Sequence, residues 1–299
     1  MSILIDENTR VLVQGITGRE GSKTTKEMLD YGTKVVAGVT PGKGGQQVEG
    51  IPVYNSVKEA KEKHPEINAT VLYVPPVGVK QAVIDAIDAG IYLVNIIAEH
   101  IPIKDSAFLC AYAKKKGARI VGPSSVGIIS PGKCRLGSIG GMEPSIQFEQ
   151  GPVGVISKSG GMSSEVSLII KRSGLGQSTV IGMGGDVIAG TAFHEFLELF
   201  EKDPETKGVV VFGELGGTYE EQLAAFVKSG KFTKPVAAFI GGEFAANLPE
   251  GQSLGHAGAL IEGKVGLPSV KKKLLEDAGV KVAKVPGELG DLIKREIGK

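Results

Sequence analysis

The stretch that decides the fold is Arg10-Val11-Leu12-Val13-Gln14-Gly15-Ile16-Thr17-Gly18-Arg19-Glu20-Gly21, a short apolar run that breaks into glycines. Residues 22–31, which follow it, have helical spacing. A strand, a glycine turn and a helix in this order open a nucleotide-binding βαβ unit. The sequence therefore predicts an α/β fold that begins with such a unit.

The glycine turn favours a ligand other than a nicotinamide cofactor. Its spacing is GxxGxxG rather than GxGxxG, and no acidic residue closes the next predicted strand, residues 34–40. The helix N-terminus after Gly18 offers amides to a phosphate, and Lys43, in the loop that follows that strand, can supply a positive charge. A phosphorylated, adenine-containing ligand fits this arrangement, and a tight turn without a ligand is the alternative.

The same spacing continues through the first half of the chain. It predicts two strands that are apolar nearly throughout and two helices, at residues 69–74, 92–97, 77–89 and 104–116. Residues 1–147 are thus predicted to form one doubly wound domain with a mainly parallel sheet. Ligands bind beyond the carboxyl ends of such strands. This rule gathers Thr17, Lys43, Pro75 and Ala98-Glu99 at one edge, so Pro75 is counted among the candidate ligand-binding residues.

A Gly- and Pro-rich segment, residues 130–150, precedes a second series of strands and helices, and we place a domain boundary after residue 147. The second domain, residues 148–299, is predicted to contain strands at residues 152–157, 178–183, 208–213 and 235–240. The turn Ser159-Gly160-Gly161 follows the first of these and starts a helix. It predicts a second anion site, with a capped helix start as the alternative.

His256 is the candidate nucleophile. It lies in Ser253-Leu254-Gly255-His256-Ala257-Gly258-Ala259, where small neighbours leave the imidazole accessible to a phosphorus atom. Glu214 and the Ser159 turn follow strands whose ends should meet at one edge of the second sheet, and His256 should reach the same edge. A histidine, a carboxylate and a helix N-terminus brought together can carry and stabilise a phosphoryl group. The alternatives are a surface histidine and a solvated acid.

Composition excludes several other classes of protein. The chain of 299 residues carries a net charge of +1, which argues against binding to nucleic acid or to anionic membranes. Its start lacks the features of a secretory signal, and no apolar run is long enough to span a membrane, so a cytoplasmic protein is expected. No metal site is predicted, because the cysteines and the remaining histidines lack ligand spacing: Cys110, Cys134, His64, His100 and His194.

Seven stretches, in order, resemble the α subunit of succinyl-CoA synthetase over essentially the whole chain: QGITGREG, YGTKVVAGVTPGKGG, AIDAGI, IGMGGD, FEKDPET, GELGG and GHAGA. The resemblance implies a Rossmann-like domain that binds coenzyme A, followed by a flavodoxin-like CoA-ligase domain. It also implies that His256 carries a phosphoryl group, that Glu214 supports it, and that the helix start at Ser159 holds the phosphate. The residues at matching CoA-binding positions are Thr17, Gly18, Arg19, Glu20, Lys43, Ile97, Ala98 and Glu99.

The resemblance further implies a partner, a β subunit of the ATP-grasp type that supplies the site for Mg-ATP or Mg-GTP. The assembly would be αβ or α2β2. A nucleotide would phosphorylate His256, the imidazole would pass the phosphoryl group to a substrate carboxylate, and the thiol of coenzyme A would attack the acyl phosphate. A CoA-binding regulator without enzymatic activity is the alternative from another class.

One departure from the family bears on the substrate. Succinyl-CoA synthetases typically read SRSGTLTYE where this chain has SKSGGMSSE, residues 157–165, so Gly161 and Ser164 replace a threonine and a tyrosine. The pocket is therefore expected to be roomier and more polar. Together with Gly140-Gly141-Met142, the IAE at residues 97–99 and Ser253-Leu254, the SGGMS string resembles ATP-citrate lyase. No citrate-synthase-like domain follows, so the expectation is a citryl-CoA synthetase small subunit, with succinate as the alternative substrate.

Overall fold

The computed structural model describes residues 2–244, 256–259 and 266–298. Within these ranges the strands form two sheets of seven strands each, and most neighbouring strands are parallel. The predicted class, two mainly parallel α/β units in succession, is confirmed. Three residues that bear on the substrate prediction and the His256 loop, Ser253, Leu254 and Gly255, lie outside the described residues.

The first sheet contains seven strands in the order β3-β4-β2-β1-β5-β6-β7. These strands are β1 Arg10–Gln14, β2 Lys34–Val39, β3 Gln47–Val48, β4 Ile51–Tyr54, β5 Ala69–Leu72, β6 Leu93–Ile96 and β7 Arg119–Val121. The connecting helices are α1 Arg19–Asp30, α2 Val57–Lys63, α3 Pro76–Asp88 and α4 Ile103–Lys116. Counted along the parallel strands alone, the order is 3-2-1-4-5-6, which is that of a Rossmann fold.

Strand β1 shows why this sequence forms a covered central strand. Val11 and Val13 pack into one buried apolar cluster, whereas Leu12 packs into another, so both faces of the strand are covered. The turn after it requires glycine, because a Cβ on Gly15 would lie 2.2 Å from the carbonyl oxygen of Tyr73 and the backbone φ there is +78°. The apolar run and the glycine thus fix the strand and the turn that follows.

The second sheet has the order β14-β13-β12-β10-β11-β8-β9. Its strands are β8 Gly127–Ser130, β9 Cys134–Gly137, β10 Gln150–Ser157, β11 Gln177–Gly182, β12 Gly208–Glu214, β13 Val236–Gly241 and β14 Lys281–Val282. Its helices are α5 Gly160–Arg172, α6 Phe193–Lys202, α7 Tyr219–Lys228, α8 Pro268–Asp277 and α9 Leu289–Ile297. The parallel strands β10 to β14 follow the order 2-1-3-4-5 of flavodoxin-like folds.

The strands β8 and β9 differ from the sequence prediction. They precede residue 148, yet β8 pairs antiparallel with β11 of the second sheet and β9 pairs antiparallel with β8. The interpretation of residues before 148 as part of the first sheet is therefore wrong for these two strands, and a division into domains at residue 147 stays a prediction. Strand β9 also contacts the first unit, because buried Arg135 pairs with Glu27 of α1 at 3.0 Å.

Three general features complete the fold. In the described residues, no helix combines the length and the apolar character that crossing a membrane requires. The same part of the chain contains no group of three His, Cys, Asp or Glu side chains placed to hold a metal ion. Cys110 and Cys134 are both free thiols, and Cys134 is buried.

Candidate active site

The carboxyl ends of β10 and β12 form the centre of the site. Ser159 follows β10 and Glu214 is the last residue of β12, and the two strands are parallel neighbours. The order of the strands across the sheet reverses at this point, because β11 lies on one side of β10 and β12 lies on the other. Such a switch point leaves a crevice beyond the strands. A cavity of about 280 Å³ lies there, lined by Ser159, Glu214 and His256 among others, and is called the His256 cavity below.

The imidazole of His256 is held by a carboxylate. Its Nδ1 lies 2.8 Å from Oε2 of Glu214, and the His256 side chain is 32% exposed. Since a carboxylate accepts, Nδ1 carries the proton in this pair, and the neutral ring then has its lone pair on Nε2. The hydrogen bond to Glu214 raises the pKa of His256 above its ordinary value, with a smaller increase from Glu99, against the opposing effects of burial and Lys158.

The His256 loop packs on the loop that follows β11. The Gly258 amide donates to the Gly185 carbonyl oxygen at 2.9 Å, which ties residues 256–259 to this loop. The imidazole lies directly against Gly185, because a Cβ at that position would be 2.3 Å from Cγ of His256. The loop after β11 and the last residue of β12 therefore hold the ring from two sides.

Helix α5 presents its N-terminus to the His256 cavity. Ser159 is the N-cap, and its Oγ accepts from the Met162 amide at 3.4 Å. Gly160 is required by packing, since a Cβ there would lie 2.2 Å from Val126 Cγ1, whereas a Cβ at Gly161 would meet open space. The first amides of a helix lack intrahelical acceptors and carry partial positive charge, so this end of α5 favours an anion. Ser164 is half-buried one turn into the helix.

A second cavity, of about 500 Å³, lies at the carboxyl ends of β1, β2 and β5. It occupies the switch point of the first sheet, where β2 lies on one side of β1 and β5 on the other. Three of the predicted CoA-binding residues line it: Thr17, Gly18 and Pro75. The Thr17 hydroxyl lies 3.1 Å from that of Thr40, another lining residue, which fixes the rim of the cavity beside the start of α1.

The other predicted CoA-binding residues lie outside that lining. Arg19, Glu20 and Lys43 are exposed, the first two on the first turn of α1 and Lys43 in the loop after β2. Residues 97–99 follow β6, where the Ser124 amide donates to the Ala98 carbonyl oxygen at 2.9 Å and the Ser124 hydroxyl donates to Glu99 at 3.3 Å. Glu99 is also one of the charges that raise the pKa of His256. The predicted CoA-binding residues therefore fall into three groups: residues that line the second cavity, exposed residues outside its lining, and the loop after β6, whose Glu99 affects the pKa of His256.

Sequence reasoning missed Asp186, which lies next to Gly185. Its Oδ1 accepts from the Val187 amide at 2.7 Å, and its Oδ2 has no hydrogen-bond partner in the described part of the chain. Burial raises the pKa of Asp186, Glu99 raises it further, and His100 opposes the shift. The sequence signal was its place in the loop after the predicted strand at residues 178–183, at the edge where His256 was expected, but no role was assigned to its carboxylate.

Two family models match this chain. Residues 6–100 match the CoA binding domain and residues 156–281 match the CoA-ligase domain. Over 298 residues the chain is 49% identical to an ADP-forming sulfoacetate–CoA ligase subunit of Acholeplasma sp, with coverage of 100% of this chain and 99% of that protein. Over 293 residues it is 48% identical to succinate–CoA ligase [ADP-forming] subunit alpha 2 of Archaeoglobus fulgidus, with coverage of 98% and 99%.

A solved structure agrees with these matches. ATP citrate lyase from Methanothrix soehngenii, in complex with citrate and coenzyme A, superposes with a TM-score of 0.91 at 26% sequence identity. The match covers 99% of this chain and 50% of that chain. Full-length identity near one half to subunits of two CoA ligases decides the family. The chain belongs to the succinate–CoA ligase α-subunit family of ADP-forming CoA ligases, as its motifs predicted.

Proposed function

We propose that this chain is the α subunit of an acid–CoA ligase that carries its phosphoryl group on Nε2 of His256. The observation that most directly supports this proposal is the 2.8 Å contact between His256 Nδ1 and Glu214 Oε2, in a cavity that the N-cap residue of α5 also lines. Fixing the proton on Nδ1 directs the nucleophilic lone pair to Nε2. The start of α5 then supplies amides for the oxygens of the transferred group.

The chemistry follows from this placement. Nε2 attacks the γ-phosphorus of the nucleotide, an Nε2–P bond forms, and the bond from phosphorus to the leaving ADP oxygen breaks. The positive charge that develops on the ring is offset by the Glu214 carboxylate at 2.8 Å. The phosphoryl group next passes to a substrate carboxylate, which restores the neutral imidazole and yields an acyl phosphate. The thiol of coenzyme A finally attacks the acyl carbon, phosphate leaves, and the thiol proton is lost to the phosphate.

Coenzyme A is proposed to bind at the switch point of the first sheet. The cavity of about 500 Å³ beside Thr17, Gly18 and Pro75 suits the adenine end of the molecule, since it combines an apolar wall with a helix N-terminus. The loop at residues 97–99 follows β6 of that domain, and the charge of Glu99 in it raises the pKa of His256. This placement supports a route by which the thiol reaches the His256 cavity.

The proposed partner is a β subunit of the ATP-grasp type, which would hold Mg-ATP or Mg-GTP. Support comes from the relatives, which are themselves subunits of ADP-forming ligases. The assembly is proposed to be αβ or α2β2, in the cytoplasm. This chain contributes the phosphorylated residue and the CoA site, and the partner contributes the nucleotide.

Citrate is the proposed acid. A threonine-sized side chain is absent at Gly161, where a Cβ would meet open space, and Ser164 adds a hydroxyl in place of a bulky ring. The similar fold of an ATP citrate lyase that binds citrate supports the same substrate. Succinate and sulfoacetate are second candidates, because the ligases with identities of 48% and 49% are named for these acids.

Phosphate labelling tests the proposed mechanism. The wild-type complex with its β subunit, incubated with ATP labelled at the γ-phosphate, should acquire acid-labile, base-stable label on His256, and His256→Asn should acquire none. His64→Asn is the matched control, because His64 lies beside Tyr54 at the end of α2 and should keep full labelling. Absence of label on an active wild-type complex would eliminate the phosphohistidine mechanism.

A competition among acids tests the substrate. The rate of ADP release that depends on coenzyme A should be highest with citrate and lower with succinate and sulfoacetate. A faster reaction with either of these acids would replace citrate as the substrate and leave the phosphohistidine mechanism unaffected.

A further inference from the structure

Three charged side chains are buried behind the His256 cavity. Lys158, Glu220 and Lys271 have side chains that are 5%, 1% and 0% exposed, and they are called the buried triad below. Lys158 Nζ lies 3.0 Å from Glu220 Oε1, and Lys271 forms an ion pair with Glu220 Oε2. Burying three charges costs free energy unless each one is paired and hydrogen-bonded. The contacts of the triad therefore show what keeps these charges in the interior.

The buried triad binds the backbone of Glu214 at both of its polar groups. The Glu214 amide donates to Glu220 Oε1 at 3.1 Å, and Lys271 Nζ donates to the Glu214 carbonyl oxygen at 2.9 Å. Lys271 also donates to the carbonyl oxygen of Gly216 at 2.5 Å. The peptide groups around Glu214 are therefore held by charged side chains from α7 and α8, in addition to the pairing of β12 with β13.

The two lysines favour the ionised form of Glu220 despite its burial. Burial alone would raise the pKa of Glu220, yet Lys158 and Lys271 outweigh it and hold the pKa of this carboxyl below its ordinary value. Burial lowers the pKa of Lys271, and Glu220 opposes that shift. An ionised carboxylate between two ammonium groups gives strong, directional hydrogen bonds in a low dielectric, which suits it to hold a backbone in one position.

We propose that Lys271 and Glu220 are positioning residues for the phosphohistidine reaction, which fix the backbone of Glu214 so that its carboxylate meets Nδ1 of His256. The inference rests on the proposed function. Neither side chain touches the reacting atoms. Each acts through Glu214, as the supporting groups of a preorganised site do.

Two readouts on the complex with the β subunit test the proposal. Lys271→Met keeps much of the side-chain length and removes the charge and the two bonds to carbonyl oxygens. Phosphorylation of His256 should slow by on the order of tenfold or more, the effect of a small displacement of a catalytic group. The titration midpoint of His256, followed by NMR of its ring, should move down, because the ring loses part of its hydrogen bond to Glu214. Lys273→Met, the same change at an exposed position of α8, should leave both values unchanged.

A purely structural role predicts a different result. Removing one partner of a buried ion pair destabilises a protein, so the melting temperature falls in either case, but the His256 midpoint of the folded fraction would then stay at the wild-type value. Glu220→Gln serves as the second variant if Lys271→Met does not fold, because it keeps the shape and an acceptor for the Glu214 amide while it loses the charge. Wild-type rate and midpoint in a folded variant would overturn the proposal.

The proposal and the proposed function fail in distinguishable ways. If Glu214→Gln slows phosphorylation and the triad variants do not, the positioning role is wrong and the phosphohistidine mechanism stands. If the wild-type complex acquires no label on His256, the function itself is wrong. A double-mutant cycle between Glu214→Gln and Lys271→Met should be non-additive, because both changes disrupt one contact.

Discussion

Replacing Gly185 by alanine should displace the imidazole of His256, the proposed phosphoryl carrier, without direct contact with any substrate. An ideal Cβ on Gly185 would lie 2.3 Å from Cγ, 2.6 Å from Nδ1 and 2.7 Å from Cβ of His256. The backbone of Gly185 is outside the positive-φ region, so alanine meets no backbone strain there. The obstruction is therefore the imidazole and its Cβ, which cannot swing away as the end of a long side chain would.

The displacement can be estimated from these contacts. An ordinary contact begins near 3.4 Å, so the ring must retreat by about 1.1 Å, the difference between 3.4 and 2.3 Å. A misplacement of about 1 Å at a reacting group costs on the order of a hundredfold in rate. That factor corresponds to about 2.7 kcal/mol of activation free energy. The 2.8 Å bond to Glu214 must lengthen or change direction with the ring.

Single-turnover phosphorylation measures this effect. The complex of Gly185→Ala with the β subunit is mixed rapidly with labelled ATP, and the label on His256 is followed with time. Gly287→Ala is the matched control, since a Cβ there meets no atom within 4 Å and its φ is ordinary. Thermal unfolding of both variants checks that they fold. Labelling of folded Gly185→Ala at the wild-type rate would refute the conclusion that His256 reacts from its place against Gly185.

Three further predictions concern charge and capping. Glu214→Gln should lower the pKa of His256, so that phosphorylation extends to lower pH but reaches a lower maximal rate in a pH–rate profile. The raised pKa of His256 stabilises the folded protein fully below about pH 6.5, and this contribution disappears as pH rises through the folded pKa. Glu214→Gln should lose that contribution. Ionisation of Asp186 destabilises the wild type as pH rises from about 3.8 through the raised pKa of this carboxyl. Asp186→Asn lacks the carboxylate, so its melting temperature should rise relative to that of the wild type over this pH range. Ser159→Ala should cost about 0.5–1 kcal/mol in denaturant unfolding, since it removes the N-cap bond of α5.

The positions of most parallel strands in both sheets followed from the sequence, because buried parallel strands are continuous apolar runs. Strands β10 and β12 stand out in this way, and the glycine turns after them mark where they end. The hairpin β8–β9 did not stand out. Strand β9 contains Arg135, a buried charge that pairs with Glu27 of α1 and donates to the Gly141 carbonyl oxygen, and an ion pair across two elements leaves no local pattern.

Helix α7 was missed for a related reason. It spans Tyr219–Lys228 and buries Glu220, so a charged residue occupies the inner face where an apolar residue is expected. The charge is tolerated because Lys158 and Lys271, far apart along the chain, converge on it. Sequence patterns describe one element at a time, and a triad assembled from three elements is invisible to them.

The choice of carboxylate for His256 shows where local reasoning ends. Asp186, Glu214 and Glu243 each follow a strand of the second sheet at the same edge, so the strand-end rule places three acids near the histidine. Position along the chain does not separate them, since Glu214 is 42 residues from His256 and Asp186 directly follows the glycine that touches it. The contacts of each residue separate the three acids. Asp186 bonds to the Val187 amide within its own loop, and Glu243 is exposed and pairs with Lys272. The carboxylate at Nδ1 is that of Glu214, whose amide and carbonyl groups are held by Glu220 and Lys271. Which carboxylate meets His256 thus depends on which peptide the buried charges hold, a property of three packed elements.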